Sequence, residues 1–152
     1  MQFYSTNRKT SPVSLREAVV RGLAADRGLF MPEVIRRFPP AFYQNMKEMT
    51  LREISFVVAD VEAGKLKEIV DETLNFDIPL VQVADNRYSL ELFHGPTLAF
   101  KDVGARFMAR LLAYFNKQEG ERQVNVLVAT SGDTGSAVAN GFLDVPGVKV
   151  FV

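Results

Sequence analysis

Val124-Asn125-Val126-Leu127-Val128-Ala129-Thr130-Ser131-Gly132-Asp133-Thr134-Gly135-Ser136 is the stretch on which the fold turns. Val124, Val126, Leu127, Val128 and Ala129 make a run apolar enough for a strand buried on both faces, as strands of parallel sheets are. The two glycines after it permit a tight turn into an Ala/Val-rich helix, which Gly141 helps to stop before Pro146-Gly147 turns the chain. Val148 to Val152 then reads as the next strand. A strand, a helix and a strand in that order form a βαβ unit, so the expected fold class is α/β.

Toward the amino terminus, Phe107, Met108, Leu111, Leu112 and Phe115 recur at helical spacing. Ile78 to Val83 and Tyr88 to Leu92 flank Asp85-Asn86 with period two, the pattern of a hairpin or a pair of short strands. Before residue 78 the period is helical. Ser14 and Glu17 form a capping box, with Leu15, Ala18 and Val19 on one face until Gly22 ends the helix. Asp26 to Pro32 reads as an apolar loop pinned by Gly28 and Pro32, and Pro39-Pro40 breaks the chain before a helix over 41–49. Thr50 and Glu53 repeat the capping box ahead of Leu51, Ile54, Val57, Val58 and Val61, and Leu66, Ile69, Val70 and Leu74 continue at the same spacing. The expected organisation is a mostly helical region over 1–77, then the first part of a twisted, largely parallel α/β sheet domain over 78–152.

Composition narrows the function classes. With 152 residues, 47% apolar and 24% charged, the chain is globular in make-up. One domain, or one and a fraction, of that length can bury roughly 70% of its unfolded surface. Lys plus Arg and Asp plus Glu both number 18, so no net positive field favours nucleic acid or an anionic membrane. The chain has no cysteine, which excludes disulfides and thiol catalysis, and one histidine, which makes a zinc site a poor expectation. No apolar run approaches the ~20 residues needed to span a bilayer, and Met1 to Thr10 lacks the apolar core of a secretory signal, so the expected location is cytoplasmic. The closing apolar run Val148 to Val152 has no polar tail, and it reads as part of an incomplete sheet whose edge could drive self-association.

Three places could carry chemistry. Ser131 to Gly135 lies between a buried strand and a helix N-terminus, where backbone N–H groups, the hydroxyls of Ser131 and Thr134 and the helix dipole favour a carboxylate or phosphate. The spacing is neither the dinucleotide fingerprint nor a P-loop, and a plain helix cap by Asp133 or Ser131 would also explain it. Lys101 follows Leu98-Ala99-Phe100 at a helix start. Partial loss of hydration beside a positive helix end disfavours an ammonium and would make the amine a usable nucleophile or base, while the alternative is a lysine snorkelling to water with Asp102 complementing the dipole. His94, in His94-Gly95-Pro96-Thr97, could move protons or simply pack in its loop.

Taken together, Leu92 to Asp102 and Ala129 to Ala137 resemble the threonine synthase family, fold type II enzymes dependent on pyridoxal phosphate with a tryptophan synthase β-like fold. Phe3 to Arg8, Ser14 to Ala18 and Gly28 to Pro32 are similar to that family's helical N-terminal region, so the resemblance covers nearly the whole chain. It implies conversion of O-phospho-L-homoserine and water to L-threonine and phosphate, the last step of threonine biosynthesis. It also implies that Lys101 is the catalytic lysine, joined to the cofactor's aldehyde and, when freed, removing the substrate's Cα proton. Asp133 is the second cofactor contact so implied, and Ser131, Gly132, Thr134 and Gly135 hold the substrate carboxylate. Relatives such as cysteine synthase carry Asn where Asp133 stands. An anionic Asp repels a bound carboxylate, so Asp133 is expected to accept a proton or face backbone donors. No residue here matches the family's glycine-rich cup for the cofactor phosphate, so these 152 residues alone are expected to be inactive. The competing readings are an anion-binding module without covalent chemistry and a partner-binding domain that docks through residues 1–77.

Overall fold

Local capping signals set the helices of the amino-terminal half. The computed structural model describes residues 1–59, 65–118, 120 and 122–152, and it divides into two compact units, Met1–Leu66 and Lys67–Val152. In the first, Ser14 Oγ accepts the Glu17 N–H at 3.2 Å and starts α1 (Leu15–Arg21), and Gly22 closes it by donating to Ala18 O. Pro39 precedes α2 (Pro40–Asn45), which tightens into a 3-10 turn over Met46–Glu48. The second capping box forms in both directions ahead of α3 (Leu51–Ala59): Glu53 Oε2 accepts the Thr50 N–H at 2.7 Å, and Thr50 Oγ1 accepts the Glu53 N–H at 3.3 Å. Val61, expected on the same face, lies outside the described residues.

The expectation of a mostly helical start needs correction, because this unit also holds a three-stranded antiparallel sheet. Its strands β1 (Gln2–Ser5), β2 (Val13–Ser14) and β3 (Phe30–Pro32) lie in the order β2-β1-β3. The segment read as an apolar loop contributes β3, with Phe3 opposite Pro32 and Ser5 opposite Phe30. Pro32 is tolerated because β3 is an edge strand. The sheet is tied to the chain leaving α1 through Asp26. Fully buried Ser5 donates from Oγ to Asp26 Oδ1 at 2.6 Å, and the Asp26 carboxylate also accepts the N–H groups of Lys9 and Gly28 at 2.9 and 3.0 Å. The Ser5 hydrogen bond is the main reason the Asp26 carboxyl titrates below its ordinary value; desolvation opposes it and the backbone N–H groups assist.

The second unit starts with α4 (Leu66–Thr73) and continues through β4 (Leu80–Ala84), β5 (Arg87–Leu90), α5 (Lys101–Gln118), β6 (Val124–Leu127), α6 (Gly132–Phe142) and β7 (Val148–Phe151). Strands β4 and β5 pair as the expected antiparallel hairpin, from Leu80 opposite Leu90 to Ala84 opposite Arg87. Strands β6 and β7 run parallel, Val124 opposite Val148 and Leu127 opposite Phe151, so the βαβ unit forms. Helices α5 and α6 supply the core through Ala109, Leu111, Leu112, Phe115, Ala137 and Phe142. Gly141 does not stop α6; it lies inside the helix, where a Cβ would come within 3.1 Å of Ala105 on α5. Arg106 of α5 caps the end of α4, donating from Nη2 to Glu72 O at 2.6 Å and from Nε to Thr73 O at 3.2 Å.

Two further expectations are corrected. The sheets are small and mostly antiparallel: β1–β2, β1–β3 and β4–β5 all pair antiparallel, and only β6 and β7, joined by the α6 crossover, run parallel. Strand β6 is not buried on both faces either. Val124 and Val126 are half-buried while Asn125 and Leu127 are exposed, Leu127 at 79%, since α6 covers one side of the two-stranded sheet. Among the described residues no helix is long and apolar enough to cross a membrane.

Gly28 reports on the first unit's tie. A Cβ at this position would collide with Ser5 Oγ and come within 2.8 Å of the Asn7 backbone nitrogen. Gly28→Ala should therefore destabilise this unit by about 1–3 kcal/mol. Urea unfolding followed through the amide resonances of Ser5 to Arg8 checks this, and an unchanged midpoint would contradict it.

Candidate functional site at two helix N-termini

Sequence places Lys101 and Asp133 far apart, and the second unit brings them together. Lys101 is the first residue of α5 and Asp133 lies in the first turn of α6. Lys101 Nζ donates to Asp133 Oδ2 at 2.6 Å and also lies 4.7 Å from the centroid of the Phe100 ring. Both contacts suit a cation, so the structure supplies the amine with a counter-charge where sequence reasoning anticipated desolvation. The side chains are 33% and 57% exposed, so solvent screens the pair and its worth to stability is small. Its electrostatic effect is still visible: the Lys101 hydrogen bond is the chief cause that holds the Asp133 carboxyl below its ordinary value. Desolvation works against that shift, and the Thr134 N–H and the Lys101 charge add to it.

The loop before α6 presents donors next to this pair. Gly132 has φ +69, the left-handed region that favours glycine, which carries the chain from extended Ser131 into the helix. Ser131 makes no side-chain capping bond, so first-turn N–H groups of this eleven-residue helix are not closed off by their own cap. Thr134 N–H donates to Asp133 Oδ1 at 2.9 Å, fixing the carboxylate between a backbone donor and the lysine. Gly135 is buried, and a Cβ there would sit 2.7 Å from Thr130 O. The loop of Ser131, Gly132, Thr134 and Gly135 thus adjoins Asp133, and through it Lys101. His94 has other company: Nε2 lies 2.7 Å from Glu91 Oε2 and the ring stacks on Phe93 at 4.8 Å.

Asp102 is the first-turn acid of α5 that the sequence suggests. Sequence reasoning missed its bond to Thr97: Asp102 is wholly buried and accepts both the N–H and the hydroxyl of Thr97. A Thr five residues ahead of an Asp at the second position of a helix, with Gly95 between the loop and the core, was the available signal.

The model "Threonine synthase N terminus" matches residues 2–75. Threonine synthases of Haemophilus influenzae and Escherichia coli are 39% and 37% identical to the chain, each over 100% of it and 36% of their own length. The crystal structure of Escherichia coli threonine synthase superposes with a TM-score of 0.85 at 38% identity, covering 99% of this chain and 36% of that one. The structure of PLP-bound threonine synthase from Brucella melitensis gives a TM-score of 0.91 at 33% identity, over 99% of this chain and 35% of that one. The chain therefore spans about 36% of the curated relatives it matches.

The ion pair makes a definite pH prediction. Because the Asp133 carboxyl is depressed in the folded state, the pair's contribution is present above the ordinary carboxylate range and is lost as pH falls through the depressed value. Lys101→Met should return the Asp133 carboxyl upward to the ordinary range. A carbon-detected NMR titration of the Asp133 side chain measures this, and an unmoved titration midpoint would contradict the pairing.

Proposed function

The chain belongs to the threonine synthase family as a partial-length relative matching its N-terminal region, and from that membership we propose that Lys101 would hold pyridoxal phosphate. What supports this is the single juxtaposition of Lys101 Nζ and Asp133 Oδ2 at 2.6 Å, beside the N-terminus of α6. The donor set fits the group: a primary amine for an aldehyde, and hydroxyl and N–H donors for anionic oxygens. When bound, the cofactor supplies a conjugated ring that delocalises negative charge from the substrate's Cα.

The chain's own residues supply the rest. Lys101 Nζ, when free, takes the proton from Cα and later returns one, and Asp133 Oδ2 holds the ammonium between those events. Asp133 itself is engaged by Lys101 and by the Thr134 N–H, so it is not a ligand for the substrate carboxylate. That task falls to Ser131, Gly132, Thr134 and Gly135, which lie at the N-terminus of α6, where no side-chain cap bond is made by Ser131. The substrate so proposed is O-phospho-L-homoserine, converted with water to L-threonine and phosphate in a cytoplasmic carbon–oxygen lyase reaction. Within that protein, residues 1–77 would form the N-terminal region and 78–152 the opening of the twisted, tryptophan synthase β-like cofactor domain.

Incubation with pyridoxal phosphate followed by borohydride reduction and peptide mapping tests the assignment. One adduct is expected, on Lys101, and it disappears in Lys101→Ala; equal labelling of Lys117 and Lys149 would overturn it. Phosphate release from O-phospho-L-homoserine by the 152-residue chain alone is expected to be absent, since the chain spans 36% of its relatives' length. Turnover at the rate of a full-length relative would refute that expectation.

A further inference from the structure

Asp102 takes no part in the chemistry above, yet it is the most completely buried acid among the described residues, at 0% exposure. Both of its oxygens are engaged by one residue. Oδ2 accepts the Thr97 N–H at 2.9 Å and Oδ1 accepts the Thr97 hydroxyl at 2.6 Å. A buried carboxylate is tolerable only when bonded and compensated; here it stands at the second position of α5, against that helix's positive end, with the Arg106 charge one turn further on.

The bonds close a turn of uncommon shape. Leu98 N–H donates to Gly95 O at 3.0 Å and Asp102 N–H to Ala99 O at 3.0 Å, so the chain folds back twice before α5 begins. Leu98 adopts φ +57, a conformation that costs a non-glycine residue energy, and its side chain is 76% exposed, so its own packing does not hold it there. Gly95 completes the fit: a Cβ on it would lie 2.5 Å from Asp102 Oδ2 and 2.9 Å from Asp102 Cβ. What over-determines the turn is Asp102, and the residue between the turn and Asp102 is Lys101.

We propose that Asp102 is a positioning residue for Lys101: by gripping Thr97 it locks the Gly95–Phe100 turn and fixes where α5 begins, so that the Lys101 amine is held at Asp133 and the N-terminus of α6. This rests on the assignment of Lys101 given under Proposed function. The grip needs two polar atoms at position 102, one for the Thr97 N–H and one for its hydroxyl; an amide could keep both by donating to the hydroxyl oxygen, so the substitution that removes the grip is one that removes both atoms.

The test compares the 152-residue chain with Asp102→Ala, Thr97→Val and Thr97→Ser. Two readouts are taken on each: hydrogen exchange of the Thr97 and Leu98 amides, and borohydride-trapped pyridoxal phosphate labelling of Lys101 relative to Lys117 in the same sample. In Asp102→Ala and Thr97→Val, exchange in the turn should rise while protection in α6 is kept, and the Lys101 to Lys117 labelling ratio should fall about tenfold or more, as expected of a misplaced reacting group. Thr97→Ser, which keeps both donors, should restore both. Thr97→Val leaves the buried carboxylate and the backbone bond in place, so it decides the matter if Asp102→Ala does not fold. Unchanged exchange in the turn, or a loosened turn with the wild-type labelling ratio, overturns the proposal. If the wild-type chain shows no preference for Lys101, the cofactor assignment fails by itself, and the grip of Asp102 on the turn is then upheld or overturned by the exchange rates.

Discussion

Helix α6 begins without a side-chain cap from Ser131 on its first-turn N–H groups, and an ion pair, Lys101 to Asp133 at 2.6 Å, joins that beginning to the start of α5. Two positive helix ends side by side are unfavourable unless something negative lies between them. Asp133 is that group, and the Lys101 hydrogen bond is the chief cause that holds its carboxyl below the ordinary value. The arrangement leaves a primary amine, two hydroxyls and a set of first-turn N–H groups in one neighbourhood, which is what an aldehyde-bearing anionic cofactor and an amino-acid carboxylate need.

Close packing behind the site makes this geometry possible. Gly141 lets α6 approach α5 at Ala105, and the apolar core of Ala109, Leu112, Phe115 and Ala137 holds the two helices together. Arg106, one turn beyond Asp102, ties α5 to the end of α4 through the carbonyls of Glu72 and Thr73. Burial and the neighbouring Arg110 lower the Arg106 guanidinium from its ordinary value, with Asp102 and Glu72 opposing. The first two turns of α5 are thus anchored twice just beyond Lys101, by Asp102 to the preceding loop and by Arg106 to α4.

Much of the fold was legible because its signals are local. The capping signals at Ser14 and Thr50 act over three residues: Thr50 and Glu53 close the box in both directions, while Ser14 accepts the Glu17 N–H and the Glu17 carboxylate pairs with Arg21. The β4–β5 hairpin was equally readable, since Asp85-Asn86 closes it without distant partners. The β1–β2–β3 sheet was not, because Phe3 must find Val13 and Pro32 across intervening polar sequence, and a proline argues against a strand unless the strand is known to be an edge. The run from Val124 to Ala129 overstated burial, since composition reports how apolar a strand is and not how many neighbours cover it. At the site, Lys101 and the Ser131 loop stood out as candidates from their types and surroundings, the role of Lys101 came from the family resemblance alone, and the pairing of residues 32 apart was invisible, as were the bonds that Thr97 donates to Asp102.

The most direct measurement is a crystal structure of the protein grown with pyridoxal phosphate and no reductant. The account predicts continuous density from Lys101 Nζ to the cofactor, with Asp133 and the Ser131 to Gly135 loop beside it and Asp102 still bonded to Thr97. Cofactor density joined to another lysine, or an undisturbed Lys101–Asp133 pair at saturating cofactor, would contradict it.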